Sequence, residues 1–309
     1  MKAVIKVGVS RAQWWKEHMG SLLPEIEIFL DSEPMERELI EFAIVWKPEP
    51  GWLRTFPNLR CIVSIGAGID HILCDPELPQ NIPIIRTTGT DLSVRMREYV
   101  TLHVLRLHRK LSLIEAAQPV REWRQIVEPP AHERQVGIMG LGNLGADCAR
   151  TLAIIGFDVA GWARSPKSLD NVTCFAGKQE RAAFLAHSEI LVCMLPLTAE
   201  TNGILNVELF SLLPKGACLI NVARGQHLVE SHLLSALKIG QIGAATLDVF
   251  HNEPLPADHP FWDHPDILVT PHIASLIDPV AGGERIAKNL RQFIAGKVVE
   301  DLVPPGNDY

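Results

Sequence analysis

A strand that runs straight into a glycine turn and then a helix is the feature that most narrows the fold of this chain. Val136-Gly137-Ile138-Met139 is apolar enough for a buried strand, and it leads into Gly140-Leu141-Gly142-Asn143-Leu144-Gly145 and a helical Ala/Leu/Ile pattern. In such a unit the first glycine permits the tight turn, the second lets backbone approach a pyrophosphate, and the third lets helix and strand pack closely. The phosphates then lie over the helix N-terminus. Gly140, Gly142, Asn143, Leu144 and Gly145 are therefore candidate dinucleotide contacts, although glycine turns also end ordinary strands.

The next strand sharpens this reading. Phe157 to Trp162 ends at Ala163-Arg164-Ser165, and Arg164 stands nineteen residues past Gly145, where an NAD-binding protein usually carries an acid for the ribose hydroxyls. Here that acid is missing. Arg164, Ser165 and Lys167 offer charge and donors suited to a ribose 2′-phosphate, so NADP(H) is expected to be preferred, with NAD possible. The alternative is a solvated turn.

With 309 residues, 47% of them hydrophobic and 21% charged, the chain suits two globular domains rather than one. A formal net charge of −7 and no long Lys/Arg run argue against a nucleic-acid partner. The six cysteines lack C-x-x-C spacing and several sit in apolar runs, so they read as buried free thiols of a reducing compartment. The N-terminus reads as an amphipathic strand rather than a signal segment, and no apolar run is long enough to span a bilayer. A cytoplasmic protein with no membrane partner and no metal site is expected.

Short apolar strands at 3–9, 25–29, 42–46, 60–65 and 82–87 alternate with helical patterns, and the alternation resumes at 189–195, 217–222, 243–250 and 267–271. This predicts an α/β chain of two doubly wound parallel-sheet domains: a Rossmann-type dinucleotide-binding domain and a flavodoxin-like substrate domain. The substrate domain is expected over 1–97 and 283–309 and the dinucleotide-binding domain over 98–282, with a cleft between them for cofactor and substrate. A crossing helix is read at 95–110, with Tyr99, Val100, Val104 and Leu105 as its buried stripe, and a C-terminal helix at 280–295 returns to the first domain. The polar, proline-containing stretch at about 111–132 is too long for a connector and reads as a dimerisation arm, in which Trp123 either anchors a partner or packs at home.

Chemistry is expected at strand ends. In the first domain, Ser64 to Asp70 leaves a strand through a second glycine turn, which is either a carboxylate-binding nest at Ala67 and Gly68 or a plain turn. Trp46 either walls the same crevice or belongs to the core. After the fingerprint, Asn221-Val222-Ala223-Arg224 ends in a guanidinium, Asp248 to Glu253 offers two carboxylates, and Thr270-Pro271-His272 ends in an imidazole. Arg224 can grip a carboxylate with two prongs while polarising a neighbouring carbonyl. His272, with an ordinary pKa of roughly 6.5, can give that oxygen a proton as hydride reaches the carbon, and Glu253 beside it would favour imidazolium and fix the ring. Taken singly, these residues could equally be an ion pair, a core histidine and a turn cap. The other histidines, including His251, His259 and His264, read as structural.

The ordered set resembles the D-isomer-specific 2-hydroxyacid dehydrogenase family. The resemblance rests on GLGNLG, on LPLTAETNGIL at 195–205, and on NVARG, LDVFHNEPLP and TPHIAS, and it extends over about residues 60 to 275. Spacings of 29 residues from Arg224 to Glu253 and 48 to His272 agree with it. The resemblance implies that Arg224 binds substrate, that His272 is the acid/base and that Glu253 supports it. It further implies that Leu195, Pro196, Val222, Ala223 and Asp248 line the cofactor, that Trp46, Ala67 and Gly68 meet substrate, and that the enzyme is a homodimer. Trp14-Trp15, VWKP at 45–48 and MREY at 96–99 are similar to the glyoxylate/hydroxypyruvate reductase branch of the family. Two positions depart from the common pattern, His71 in place of an Asp and Arg97-Glu98 in place of Ala-Glu, and both are expected on the substrate side.

The implied activity is NADPH-dependent reduction of small 2-oxo acids, glyoxylate to glycolate and hydroxypyruvate to D-glycerate. The alternatives are a reductase of bulkier acids such as phenylpyruvate and a non-catalytic NAD(P)-sensing module on the same fold.

Overall fold

A computed structural model describes residues 1–306, apart from the side chains of residues 9, 90 and 91. In chain order its strands are β1 (Lys2–Lys6), β2 (Glu27–Leu30), β3 (Phe42–Val45), β4 (Cys61–Ser64), β5 (Ile84–Ile85), β6 (Gln135–Met139) and β7 (Asp158–Ala163). They continue with β8 (Thr173–Ala176), β9 (Ile190–Cys193), β10 (Ala217–Asn221), β11 (Ile242–Leu247), β12 (Ile267–Val269) and β13 (Leu302–Val303). The chain forms two compact units, one of Met1–Asp91 with the residues from Ile277 onward, the other of Leu92–Leu276.

In the first unit the sheet order is β13-β5-β4-β3-β1-β2. Leaving β13 aside, this is the flavodoxin-like order 2-1-3-4-5. β3 and β4 are buried at every position, as strands covered on both faces must be, and that is why they read as unbroken apolar runs. β13 was not legible as a strand. It is two residues long and pairs antiparallel to β5, at the edge of an otherwise parallel sheet. Helix Pro279–Ile294 starts on an Asp278 cap, whose side chain accepts from Val280 and Ala281 N–H, and its buried face includes Ile286, Ala287 and Leu290.

The second unit has the order β12-β11-β10-β9-β6-β7-β8, all pairs parallel. Counted from β6 as one, this is the Rossmann order 3-2-1-4-5-6 with one further strand, and the order reverses between β6 and β9. β8 was missed because its residues are exposed or half-buried, leaving no apolar run to read. The long helix is Thr90–His108, and its buried stripe is Met96, Tyr99, Val100, Val104 and Leu107. Leu105 is exposed, contrary to expectation, because one residue past Val104 is a 100° turn off the stripe.

The arm holds one short helix, Leu111–Ala117, followed by irregular chain. Trp123 is 90% and Val127 95% exposed, so neither packs at home. All six cysteines are free. Burial pushes the thiols of Cys61, Cys148 and Cys193 up to about 12. Cys74, however, is exposed and Cys174 and Cys218 are half-buried, which corrects the reading of a wholly buried set. No helix among the described residues is long and apolar enough to cross a membrane.

Candidate active site

Because the second unit's strands are parallel, the residues that follow them share one rim. β6 delivers the glycine turn, β7 Arg164, β9 Leu195 and Pro196, β10 Val222 to Arg224, β11 Asp248 and Glu253, and β12 His272.

The glycine turn is sterically specified. Gly140 has φ +116°, which side-chain-bearing residues rarely adopt. A Cβ on Gly145 would lie 1.8 Å from the Gly140 carbonyl oxygen, so helix Asn143–Ile155 can approach the strand this closely only with glycine there. At Gly142 an added Cβ meets nothing within 4 Å. That open space at the N-terminus of a thirteen-residue helix fits a pyrophosphate. Asn143 is exposed beside it, Leu144 packs on the core, and Arg164, Ser165 and Lys167 are exposed past β7.

Leu195, Val222 and Ala223 are buried, while Pro196 is exposed. Arg224 is half-buried, and its Nη1 donates to the Ala223 carbonyl at 2.7 Å. The fully buried Asn221 accepts from Ala223 N–H at 3.2 Å and donates to the Arg224 carbonyl at 3.0 Å, which pins the turn. A Cβ on the next residue, Gly225, would lie 2.0 Å from the Phe250 carbonyl carbon. The Arg224 turn is therefore pressed against the loop that carries Glu253.

Glu253 and His272 are in direct contact. His272 Nδ1 lies 2.9 Å from Glu253 Oε2, and Glu253 Oε1 accepts from Phe250 N–H at 3.1 Å. With the carboxylate on Nδ1, Nε2 is the atom left to exchange a proton with a substrate. His272 holds φ +53°, in the left-handed region, at a cost of roughly 1–3 kcal/mol that its surroundings must offset. Asp248 is the group that offsets it. Its Oδ1 accepts from Thr270 Oγ1 at 2.7 Å and Ile273 N–H at 2.8 Å, and Oδ2 accepts from Ala274 N–H at 2.8 Å. Burial, partly offset by these bonds, raises the Asp248 carboxyl above its ordinary pKa. Tyr99 OH lies 2.6 Å from Thr270 Oγ1 and extends the network to the long helix.

In the first unit, a Cβ on Gly66 would lie 2.3 Å from the Trp46 ring, so half-buried Trp46 lies directly on the turn that holds Ala67 and Gly68. Gly66 N–H points to Ser64 Oγ at 3.2 Å and is satisfied inside the turn. His71 packs against Trp46 in a tilted arrangement, with ring centroids 4.5 Å apart. Arg97 pairs with Asp147 of the fingerprint helix at 3.3 Å. His251 and His259 share Glu230, at 3.2 and 3.3 Å, in keeping with a structural reading. Among the described residues no group of three His, Cys, Asp or Glu side chains could hold a metal. His227 was not singled out by sequence. Its signal is its position three residues after Arg224, the spacing of a single turn.

The sheet order and the contents of its rim are those of a nucleotide-binding dehydrogenase. The family model described as "D-isomer specific 2-hydroxyacid dehydrogenase, NAD binding domain" matches residues 101–274. A glyoxylate/hydroxypyruvate reductase A of Serratia proteamaculans is 40% identical over 297 residues, covering 94% of this chain and 95% of that protein. A D-isomer specific 2-hydroxyacid dehydrogenase of Xanthobacter autotrophicus Py2, solved with NADPH and MES, is 40% identical with a TM-score of 0.89 and covers 98% of each chain. An NADPH-dependent glyoxylate/hydroxypyruvate reductase of Sinorhizobium meliloti, solved with NADP and sulfate, is 36% identical with a TM-score of 0.89 and covers 98% of each chain. The chain belongs to the D-isomer specific 2-hydroxyacid dehydrogenase family.

Proposed function

We propose that this protein reduces small 2-oxo acids, glyoxylate and hydroxypyruvate foremost, with NADPH as the preferred cofactor. The observation that carries the reading is the His272–Glu253 pair on the rim of a Rossmann sheet, 2.9 Å apart. Relatives named for this reaction, 36–40% identical along nearly the whole chain, support the substrate class.

The nicotinamide, when bound, supplies the hydride. Gly140, Gly142, Asn143, Leu144 and Gly145 would hold the pyrophosphate, Arg164, Ser165 and Lys167 the 2′-phosphate, and Leu195, Pro196, Val222, Ala223 and Asp248 the nicotinamide end. Three of the lone-pair positions on the Asp248 carboxylate are taken by protein donors, and the fourth is the one a carboxamide would use. Arg224 grips the substrate carboxylate and draws electron density toward the 2-oxo oxygen. His272 gives its Nε2 proton to that oxygen while Glu253 stabilises the imidazolium. The family resemblance assigns the Ala67–Gly68 turn to the substrate, and Trp46, seated on Gly66, puts a large ring on that turn. This favours glyoxylate and hydroxypyruvate over phenylpyruvate.

The arm supports a homodimer, because Leu111, Leu113, Val120, Trp123 and Val127 are all exposed apolar side chains on one segment. Light scattering at twice the chain mass would support it, and a single-chain mass would exclude it. Six free cysteines suit the reducing cytoplasm.

The test is NADPH oxidation by purified protein with a panel of 2-oxo acids. Turnover with glyoxylate and hydroxypyruvate is expected, exceeding that with phenylpyruvate. NADPH binding without turnover of any acid would favour a cofactor-sensing module instead.

A further inference from the structure

His227 is wholly buried, yet it is one of the most polar side chains of the second unit's core. Its Nε2 lies 3.2 Å from the Pro196 carbonyl oxygen. A carbonyl can only accept, so a proton on Nε2 serves Pro196, and it is the one neutral form that also leaves Nδ1 to accept. Nδ1 lies 3.1 Å from both the Arg224 N–H and the Arg224 carbonyl oxygen, and that carbonyl already accepts from Asn221 Nδ2 and from His227 N–H. In the neutral ring with its proton on Nε2, Nδ1 is an acceptor and takes that N–H. One imidazole thus satisfies a buried donor at Arg224 with one edge and an acceptor at Pro196 with the other. Leu205 N–H donates to the His227 carbonyl at 2.8 Å, so the ring's own backbone is fixed as well.

We infer that His227 is a positioning residue that sets the Arg224 guanidinium and couples it to the Leu195–Pro196 segment, acting through both without touching substrate. This rests on the functional reading above, which gives Arg224 to the substrate and Leu195–Pro196 to the cofactor. Asn221 holds the Arg224 carbonyl and Ala223 its Nη1, and the His227 ring adds a restraint on the Arg224 N–H. A shift of the Arg224 backbone would carry the guanidinium with it, and a small misplacement of a substrate clamp is expensive in rate.

The two edges can be removed separately. His227→Asn places its Oδ1 near the site of Nδ1 and keeps an acceptor for Arg224, but it is too short to reach Pro196. His227→Gln extends to the site of Nε2 and can donate to Pro196, while leaving the Arg224 N–H without its partner. His227→Leu removes both. We expect His227→Gln to raise KM for glyoxylate about tenfold or more with NADPH affinity near wild type. His227→Asn should show the reverse, with KM for glyoxylate retained and NADPH bound several-fold more weakly. His227→Leu should show both losses.

Hydrogen exchange of the peptide spanning residues 221–228 supplies a readout independent of turnover. Protection at Arg224 should fall in the Gln and Leu variants and persist in the Asn variant. If wild type fails to oxidise NADPH with glyoxylate while the exchange pattern is as described, the functional reading fails and the positioning role stands. Equal losses in all three variants, a loss confined to thermal stability, or unchanged protection at Arg224 in His227→Gln would overturn the inference.

Discussion

His272 Nδ1 and Glu253 Oε2 stand 2.9 Å apart although 19 residues separate them, and Asp248, by holding the backbone N–H groups of Ile273 and Ala274, keeps the imidazole in a left-handed turn. The pair works because the carboxylate fixes which ring nitrogen faces the substrate. Glu253→Gln keeps the shape and deletes the charge. Its kcat should fall roughly ten- to a hundredfold, and that of His272→Ala roughly a hundred- to ten-thousandfold, while NADPH binding is retained in both. Steady-state kinetics with fluorescence titration of NADPH checks this. Wild-type kcat in His272→Ala would remove the residue from the chemistry.

The glycines of the fingerprint separate folding from binding. Gly145→Ala drives a methyl into the Gly140 carbonyl at 1.8 Å and should cost about 2 kcal/mol or more of stability. Gly142→Ala meets no protein atom within 4 Å at φ −71°, so its melting temperature should stay within a few degrees of wild type. Its NADPH affinity should nonetheless fall at least tenfold, since the methyl occupies the cradle. Equal NADPH affinity for Gly142→Ala and wild type would place the pyrophosphate elsewhere.

Arg164 is exposed where β7 ends. Arg164→Ala should lower kcat/KM for NADPH about ten- to a hundredfold and leave NADH almost untouched, because a lost charge-assisted bond matters only to the cofactor with a 2′-phosphate. Parallel assays with the two cofactors measure the ratio. An unchanged ratio would show that Arg164 is a solvated surface group.

His103 links acidity to stability. Burial, with the nearby positive charge of Arg106 adding to it, lowers its pKa from 6.5 to about 4. Between these values the unfolded chain binds the proton and the native one does not, so stability falls as pH drops from 6.5 toward 4 and is level with respect to this group above 6.5. The full contribution is at most about 3 kcal/mol. Urea unfolding at pH 7.5 and pH 5 should show the loss, and His103→Leu should remove this part of it. An identical pH dependence in the variant would contradict the assignment.

The strands that could be read in the chain were those buried on both faces. β3, β4, β9 and β10 are near-continuous apolar runs because both sides of a parallel sheet exclude water. β8 and β13 lie at sheet edges, where half-exposed residues leave no such run. Candidate site residues were legible for a related reason: in a parallel sheet the segments that follow the strands come to one rim, which nominated Arg224, Glu253 and His272, and the ordered family motifs decided between the readings left open. His227 lies in the short turn beyond β10, and its side-chain hydrogen bonds belong to that buried turn, with no periodic signal.

The amino-acid order alone determined the two-unit α/β plan, the glycine turn that admits a dinucleotide, and the types of group offered at each strand end, since hydrophobic period and glycine spacing are local properties. The tertiary structure decided which of those groups meet. That Asp248 spends three bonds on the His272 turn, that Arg97 reaches Asp147, and that Trp46 lies on Gly66 all depend on atoms brought within a few ångströms by chain segments far apart in sequence. Hydrogen bonds and van der Waals contacts act only at that range, so their partners are set by the packing of whole elements rather than by neighbours along the chain.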